Sequence, residues 1–229
     1  MTLPDPHVET VDRWQVVRDD LLPGGTKVRA LPALIDDDSA DEFVYAGPAY
    51  GYAQVALGHA CRSAGRRATC FVPARSSLHP RSTEALAAGT RIVEVRHGRL
   101  SVLKARARDY CAATSARLLP FGLDTPAFVS ALAAVARPVA DPAEVWCVAG
   151  SGALTRALQE AWPAAAHHAV VVGASPDVGR AVRWHAPEPF ERDARRPPPY
   201  PATSNYDAKV WQFVVDQASP GALIWNVAA

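Results

Sequence analysis

Two short segments hold residues whose types and spacing suit chemistry. In Arg18-Asp-Asp-Leu-Leu-Pro-Gly-Gly-Thr-Lys27-Val-Arg29 a Pro-Gly-Gly turn precedes a primary amine. Taken alone, such a stretch reads as a turn with an exposed lysine. In Glu144-Val-Trp-Cys-Val-Ala-Gly150-Ser151-Gly152-Ala153-Leu154-Thr155 an apolar strand breaks into a Gly-Ser-Gly turn and opens a helix. Free backbone N–H groups at a helix start, reinforced by the helix dipole and flanked by small residues, form a cradle for phosphate. The cradle is not a Walker loop, because the Gly-Lys-Ser/Thr ending is missing, nor the dinucleotide fingerprint, because Thr155 stands where its third glycine would be. Gly152, at the helix opening, is expected to tolerate nothing larger than Ala.

Other reactive side chains are sparser. Cys61, Cys70, Cys111 and Cys147 lie far apart with no Cys-x-x-Cys pair and read as buried thiols. The one close histidine pair, His167-His168, has adjacent residues that point different ways, so no zinc pattern is present. The chain has 24 basic residues, of which lysines occupy only positions 27, 104 and 209, so chemistry that needs an amine has few candidates. Asp207 and Lys209 in Ser-Asn-Tyr-Asp-Ala-Lys, with Tyr206, could reach a site from the preceding loop. Capping of the next helix by Ser204 or Asn205 is the plainer reading. Arg29 could meet an anionic substrate, with a surface position as the default.

These segments must be positioned by an alternation of strands and helices. Residues 41–47, 68–73, 90–98, 143–150 and 167–175 read as strands, and 53–65, 81–89, 101–117, 125–137 and 151–162 as helices. Strands alternating with helices imply parallel sheets covered on both faces. The stretch 184–204 carries Pro at 187, 189, 197, 198, 199 and 201 and is expected to be a loop or lid. A helix over 206–218 and a final buried strand over 221–229 follow.

With 229 residues, 49% of them hydrophobic and 21% charged, the chain can bury a core as one large domain or two lobes. Its 24 basic residues nearly cancel 23 acidic ones, which excludes a strongly basic nucleic-acid module and a disordered tail. No run approaches the roughly 18 to 20 apolar residues needed to span a bilayer. A soluble cytoplasmic chain without a membrane partner is expected.

Together the two reactive segments resemble fold-type II pyridoxal-phosphate enzymes, nearest the aminocyclopropane-carboxylate deaminase and D-cysteine desulfhydrase group. Arg18 to Leu31 is similar to that group's lysine segment, and Gly150 to Thr155 to its phosphate loop. Leu118 to Ala133 is similar to its Pro-x-Gly-Gly segment before a helix, and Val170 to Asp177 to the strand after the phosphate helix. The resemblance implies an α/β fold with parallel sheets, helices on both faces and two lobes. The large, cofactor-binding lobe would be 1–40 with 120–229, and the small α/β lobe 41–119.

The resemblance further implies pyridoxal 5'-phosphate as cofactor, held by Lys27 as an internal aldimine, with residues 150 to 155 on its phosphate, in a homodimer. The chain departs from the group in two places. Where relatives carry a Ser-Asn-His loop that grips the substrate carboxylate, this chain has Pro48-Ala49-Tyr50-Gly51-Tyr52, followed by Gln54 where Gln is usual. Tyr50 would then stand in for the family's Asn at the cofactor and Gly51, Tyr52 and Gln54 line the substrate side, or the two rings pack under the lobe. The Thr that faces the pyridine nitrogen in relatives corresponds to Val227, with Asn226 as a substitute if the strand is shifted.

The implied function is a pyridoxal-phosphate-dependent lyase acting on an amino acid or amino-acid-bearing substrate, by decarboxylation or elimination, with Lys27 as proton shuttle. Arg29 and Tyr206 are further substrate contacts under that reading. Two alternatives stay open: a phage-type enzyme modifying aminoacylated thymine in DNA, and a non-catalytic relative that binds a phosphate ligand.

Overall fold

A computed structural model describes residues 3–36, 38–96, 98–139, 141–173 and 175–229. The sequence-predicted strands over 90–98 and 167–175 include His97 and Ala174, which lie outside the described residues. In chain order the elements begin with a hairpin, β1 (Val8–Val11) and β2 (Trp14–Arg18), then the short helices α1 (Lys27–Ala30) and α2 (Pro32–Ile35). There follow β3 (Glu42–Ala46), α3 (Ala53–Ser63), β4 (Arg67–Pro73), α4 (Pro80–Ala88), β5 (Thr90–Val95), α5 (Leu100–Thr114) and β6 (Arg117–Leu118). The chain continues with α6 (Pro126–Ala136), β7 (Glu144–Ala149), α7 (Ala153–Ala161), β8 (Ala166–Val171), β9 (Val182–His185), α8 (Trp211–Gln217) and β10 (Leu223–Asn226).

The chain divides into two compact units, one of Ala30–Leu123 and one of Asp124–Ala229 joined by the N-terminal residues through Arg29. The resemblance implied junctions near 40 and 120, and these units part at Arg29/Ala30 and Leu123/Asp124. Leu31 and Ile35 bury completely within the first unit, which draws α2 into it. At the other junction Phe121 stacks on Tyr45 and the Gly122 N–H donates to the Tyr45 hydroxyl at 3.2 Å, so the chain stays with that unit through Leu123.

The unit of Ala30–Leu123 holds a four-stranded sheet in the order β5-β4-β3-β6, parallel throughout. Alternate residues of its strands serve opposite faces, as the pleat requires. Val44, Ala46 and Phe71 pack with Leu103 and Ala107 of α5, while Val55, Ala85 and Ala88 of α3 and α4 gather around Ile92.

The second unit holds a six-stranded sheet in the order β1-β2-β10-β7-β8-β9, parallel except for the β1/β2 hairpin. Cys147 and Trp225 face α7 and the Trp162 that follows it, whereas Trp14 and Trp184 meet Trp211 and Phe213 of α8 on the opposite face. The strands of β2, β10 and β7 run in one direction, so the residues that follow each of them collect at one edge of the sheet. That edge is where open α/β sheets bind ligands.

The elements unread in the sequence are the hairpin β1/β2, the short helices α1 and α2, the two-residue β6, and β9, which takes up the first residues of the stretch expected to be loop. The expected helix over 206–218 begins as a 3-10 turn at Asp207–Val210 and becomes α-helical only from Trp211. Among the described residues no helix is long and apolar enough to cross a membrane.

Candidate active site

At the edge reached by β2, β10 and β7 stands the segment that carries Lys27. A buried polar network holds it there. Asp19, fully buried just after β2, accepts from the Thr26 hydroxyl at 2.8 Å and from the Trp225 indole at 3.2 Å. Arg29 closes on the same carboxylate, Nε to Oδ1 at 2.8 Å and Nη2 to Oδ1 at 2.7 Å, with its side chain only 3% exposed. The Trp225 indole also donates to the Thr26 hydroxyl at 2.9 Å, and the Thr26 N–H donates to the Val227 carbonyl at 2.9 Å. Lys27 is thereby fastened to the end of β10 by residues on both sides of it. Arg29 is not a surface residue: its remaining guanidinium nitrogen meets the Pro4 carbonyl, and its charge faces Asp19.

Next to it lies Asp207, 5% exposed, on the turn before α8. Among the described residues neither of its carboxyl oxygens has a hydrogen-bond partner, and the nearby Thr203 hydroxyl is likewise unpartnered. The Val227 and Ala228 amides and the Thr203 hydroxyl face this carboxyl without closing normal hydrogen bonds. Burial raises its pKa to about 8, against the pull of the Lys27 charge. Burial also lowers the pKa of Lys27, with Asp207 opposing the shift. Each group is driven toward its neutral form by desolvation and toward its charged form by the other. A lysine so depressed has more free amine near neutral pH, which suits attack on a carbonyl carbon.

The turn after β7 completes the edge. Gly152 has φ +86°, in the left-handed region that glycine enters without strain, and a Cβ there would lie 1.8 Å from the Asp177 carbonyl oxygen. The expectation that Ala would fit at this position is therefore corrected, since even a methyl group meets backbone. Gly150 packs under Tyr206, whose hydroxyl oxygen would be 2.6 Å from a Cβ at that position. The Ala153 N–H donates to Ser151 Oγ at a long 3.4 Å, and Leu154 is half-buried. Thr155 offers only its backbone, for its hydroxyl is buried against Cys147 Sγ at 3.3 Å. The Cys147 thiol, pushed up to about 12 mainly by burial, is no nucleophile.

The remaining sequence candidates have other occupations. Both N–H bonds of the Asn226 amide are engaged, with Asp20 at 2.8 Å and with the Pro201 carbonyl at 2.8 Å, so it joins the Pro-rich segment to the sheet. Ser204 and Asn205 do not cap the following helix: they donate to Asp193 at 2.6 Å and to the Phe190 carbonyl at 3.0 Å. Tyr50, Gly51, Tyr52 and Gln54 belong to the unit of Ala30–Leu123. There Tyr50 meets His79 edge-on, Tyr52 donates to Glu84 at 3.2 Å beneath the Arg81 guanidinium, and buried Gln54 donates to the Gly51 carbonyl at 3.1 Å and accepts from Ser82 at 3.0 Å. Gln54 thus shapes its own loop. Asp207 was the residue sequence reasoning undervalued; the signal was an acid and a lysine two positions apart at the head of an otherwise apolar run.

The two sheets, one parallel throughout and the larger parallel except for its hairpin, with helices on their faces, give the chain the fold of fold-type II pyridoxal-phosphate enzymes. A crystal structure of an ACC deaminase homologue is 15% identical, covering 94% of this chain and 84% of that one with a TM-score of 0.78. O-ureido-L-serine synthase is 15% identical with the same coverages and a TM-score of 0.72. Apo diaminopropionate ammonia lyase from Escherichia coli is 12% identical over 94% of this chain and 77% of its own, with a TM-score of 0.66. No protein-family model and no curated protein matches the sequence.

Proposed function

We propose that the protein is a pyridoxal-phosphate-dependent lyase acting on an amino acid or an amino-acid-bearing substrate, with Lys27 holding the cofactor. The observation that carries this reading is Asp207. A buried carboxyl with both oxygens unpartnered costs about 1–3 kcal/mol or more, and a ligand that brings an N–H to it removes that cost. The ring nitrogen of pyridoxal phosphate is such a group. Its phosphate matches the Gly150-Ser151-Gly152 turn and its aldehyde the Lys27 amine, so the three features at one sheet edge fit the three polar ends of one molecule. When bound, the cofactor supplies an electron sink for the pair left by cleavage of a bond to the substrate's α-carbon.

The chain's own residues supply the rest. Lys27, whose burial favours the free amine, is both the point of attachment and, once displaced by substrate, a base or acid at the α-carbon. Asp207 holds a proton at the ring nitrogen, a role that Val227 at the end of the chain cannot take. The Asp19–Arg29–Thr26–Trp225 network keeps the lysine segment from drifting, and Gly152 lets the phosphate approach the helix N–H groups.

The test is spectroscopic. Purified protein given pyridoxal phosphate should turn yellow, lose the band on borohydride reduction, and show the pyridoxyl group on residue 27 by mass spectrometry. A protein that stays colourless, or a label on Lys104 or Lys209, overturns the assignment.

A further inference from the structure

Lys209 is completely buried on the turn that carries Asp207, yet nothing in the reading above uses it. Its Nζ donates to the Pro189 carbonyl at 2.9 Å and to the Glu188 carbonyl at 3.4 Å. The Glu188 carboxylate is occupied by the Arg195 amide at 3.3 Å and by Gln212 at 3.2 Å. Enclosing an ammonium is costly unless its protons find acceptors, and here two backbone carbonyls accept from it. Prolines at 187, 189, 197, 198, 199 and 201 have no N–H to donate, so the segment 186–204 ties itself with few backbone bonds, among them Arg192 N–H to the Pro189 carbonyl at 3.0 Å and Ala194 N–H to the Ser204 carbonyl at 2.8 Å, and Lys209 adds donors from outside it.

One end of that segment is tied by Lys209, and the other by Asn226 to Pro201 and by the Thr203 N–H to Ala228 at 2.9 Å. Between them Phe190 meets Tyr206 edge-on, with ring centroids 5.8 Å apart. We propose that Lys209 is a positioning residue: its ammonium is the strut that clamps the Pro-rich segment to the turn bearing Tyr206 and Asp207, and so holds those two side chains against the glycine loop and Lys27. The proposal rests on the lyase reading only for what Tyr206 and Asp207 do.

Every measurement can be made on cofactor-free protein, so a failure of pyridoxal phosphate to bind would sink the lyase reading and leave this one standing. In the parent, the Lys209 Nζ protons should exchange slowly enough to be seen by 15N NMR below neutral pH; rapid exchange overturns the strut. In Lys209→Met, trypsin should cut after Arg192 and Arg195 about tenfold faster, because cleavage tracks the population of the open form. The Asp207 carboxyl, followed by 13C NMR and assigned with Asp207→Asn, should then titrate closer to an ordinary carboxylate as water enters. The groups facing it are Lys27, Tyr200 and Cys147, and all three are retained in the variant. Lys209→Arg, which keeps the donors, should restore both behaviours. Faster cleavage with an unmoved Asp207 titration, or unchanged protection in Lys209→Met, refutes the positioning role. If Lys209→Met does not fold, slow exchange in the parent together with parental titration in Lys209→Arg supports it.

Discussion

Replacing Asp207 by Asn should flatten the dependence of stability on pH. In the folded chain burial carries this carboxyl from 3.8 to about 8, whereas the unfolded chain releases its proton at the ordinary value. Folding therefore takes up a proton between those limits. The stability supplied by the neutral acid is complete below about pH 4 and is lost as the pH rises through about 8. At about 1.4 kcal/mol per pH unit, the ceiling is about 6 kcal/mol. Water entry and side-chain relaxation as the charge develops reduce this to an expected 2–4 kcal/mol or so. Asn has the same shape and no proton to lose. Urea unfolding of parent and Asp207→Asn at intervals from pH 5 to 8 reads the effect. The gap should be small at pH 5 and should widen in favour of the variant by about 2–4 kcal/mol at pH 8. Lys27 contributes with the opposite sign, since burial lowers its pKa against the pull of Asp207, so the difference between parent and variant belongs to the pair. Parallel curves across the whole range would show that the carboxyl is already ionised in the folded chain and refute the reasoning.

Gly152→Ala should lose roughly 2–4 kcal/mol of stability and most of its affinity for pyridoxal phosphate, from left-handed backbone strain and the contact with the Asp177 carbonyl, as read by urea unfolding and fluorescence titration. Arg29→Met, which strands Asp19 in the interior, should cost about 3–5 kcal/mol; a loss under 1 kcal/mol or so would mean that water reaches the pair. With Tyr50-Gly51-Tyr52 in place of a carboxylate-gripping loop, D-cysteine, serine and aminocyclopropane carboxylate should turn over weakly in steady-state assays compared with larger amine-bearing compounds, including aminoacylated nucleosides. Efficient reaction of any of the three would return recognition to the ordinary pattern.

What the sequence determined by itself was whatever depends on near neighbours. The strand-turn-helix of 144–161, the glycine at 152, the helices of the smaller sheet and the breaking power of the proline cluster all follow from periodicity and backbone restriction over a dozen residues or so. The short hairpin Val8–Arg18 and the strand Val182–His185 escaped because their strands run only four or five residues, too few to show a period, and are fixed by the strands they pair with. At the site the division is sharper. Lys27 and the glycine turn were legible as types in a spacing, but the roles of Asp207, Arg29, Asn226 and Lys209 were decided by tertiary structure alone. Whether a polar side chain is satisfied, stranded or free depends on partners such as Trp225 on Asp19, 206 residues apart. Burial, which sets the cost of leaving a charge unpartnered, is a property of the assembled sheet edge and of no local stretch of chain.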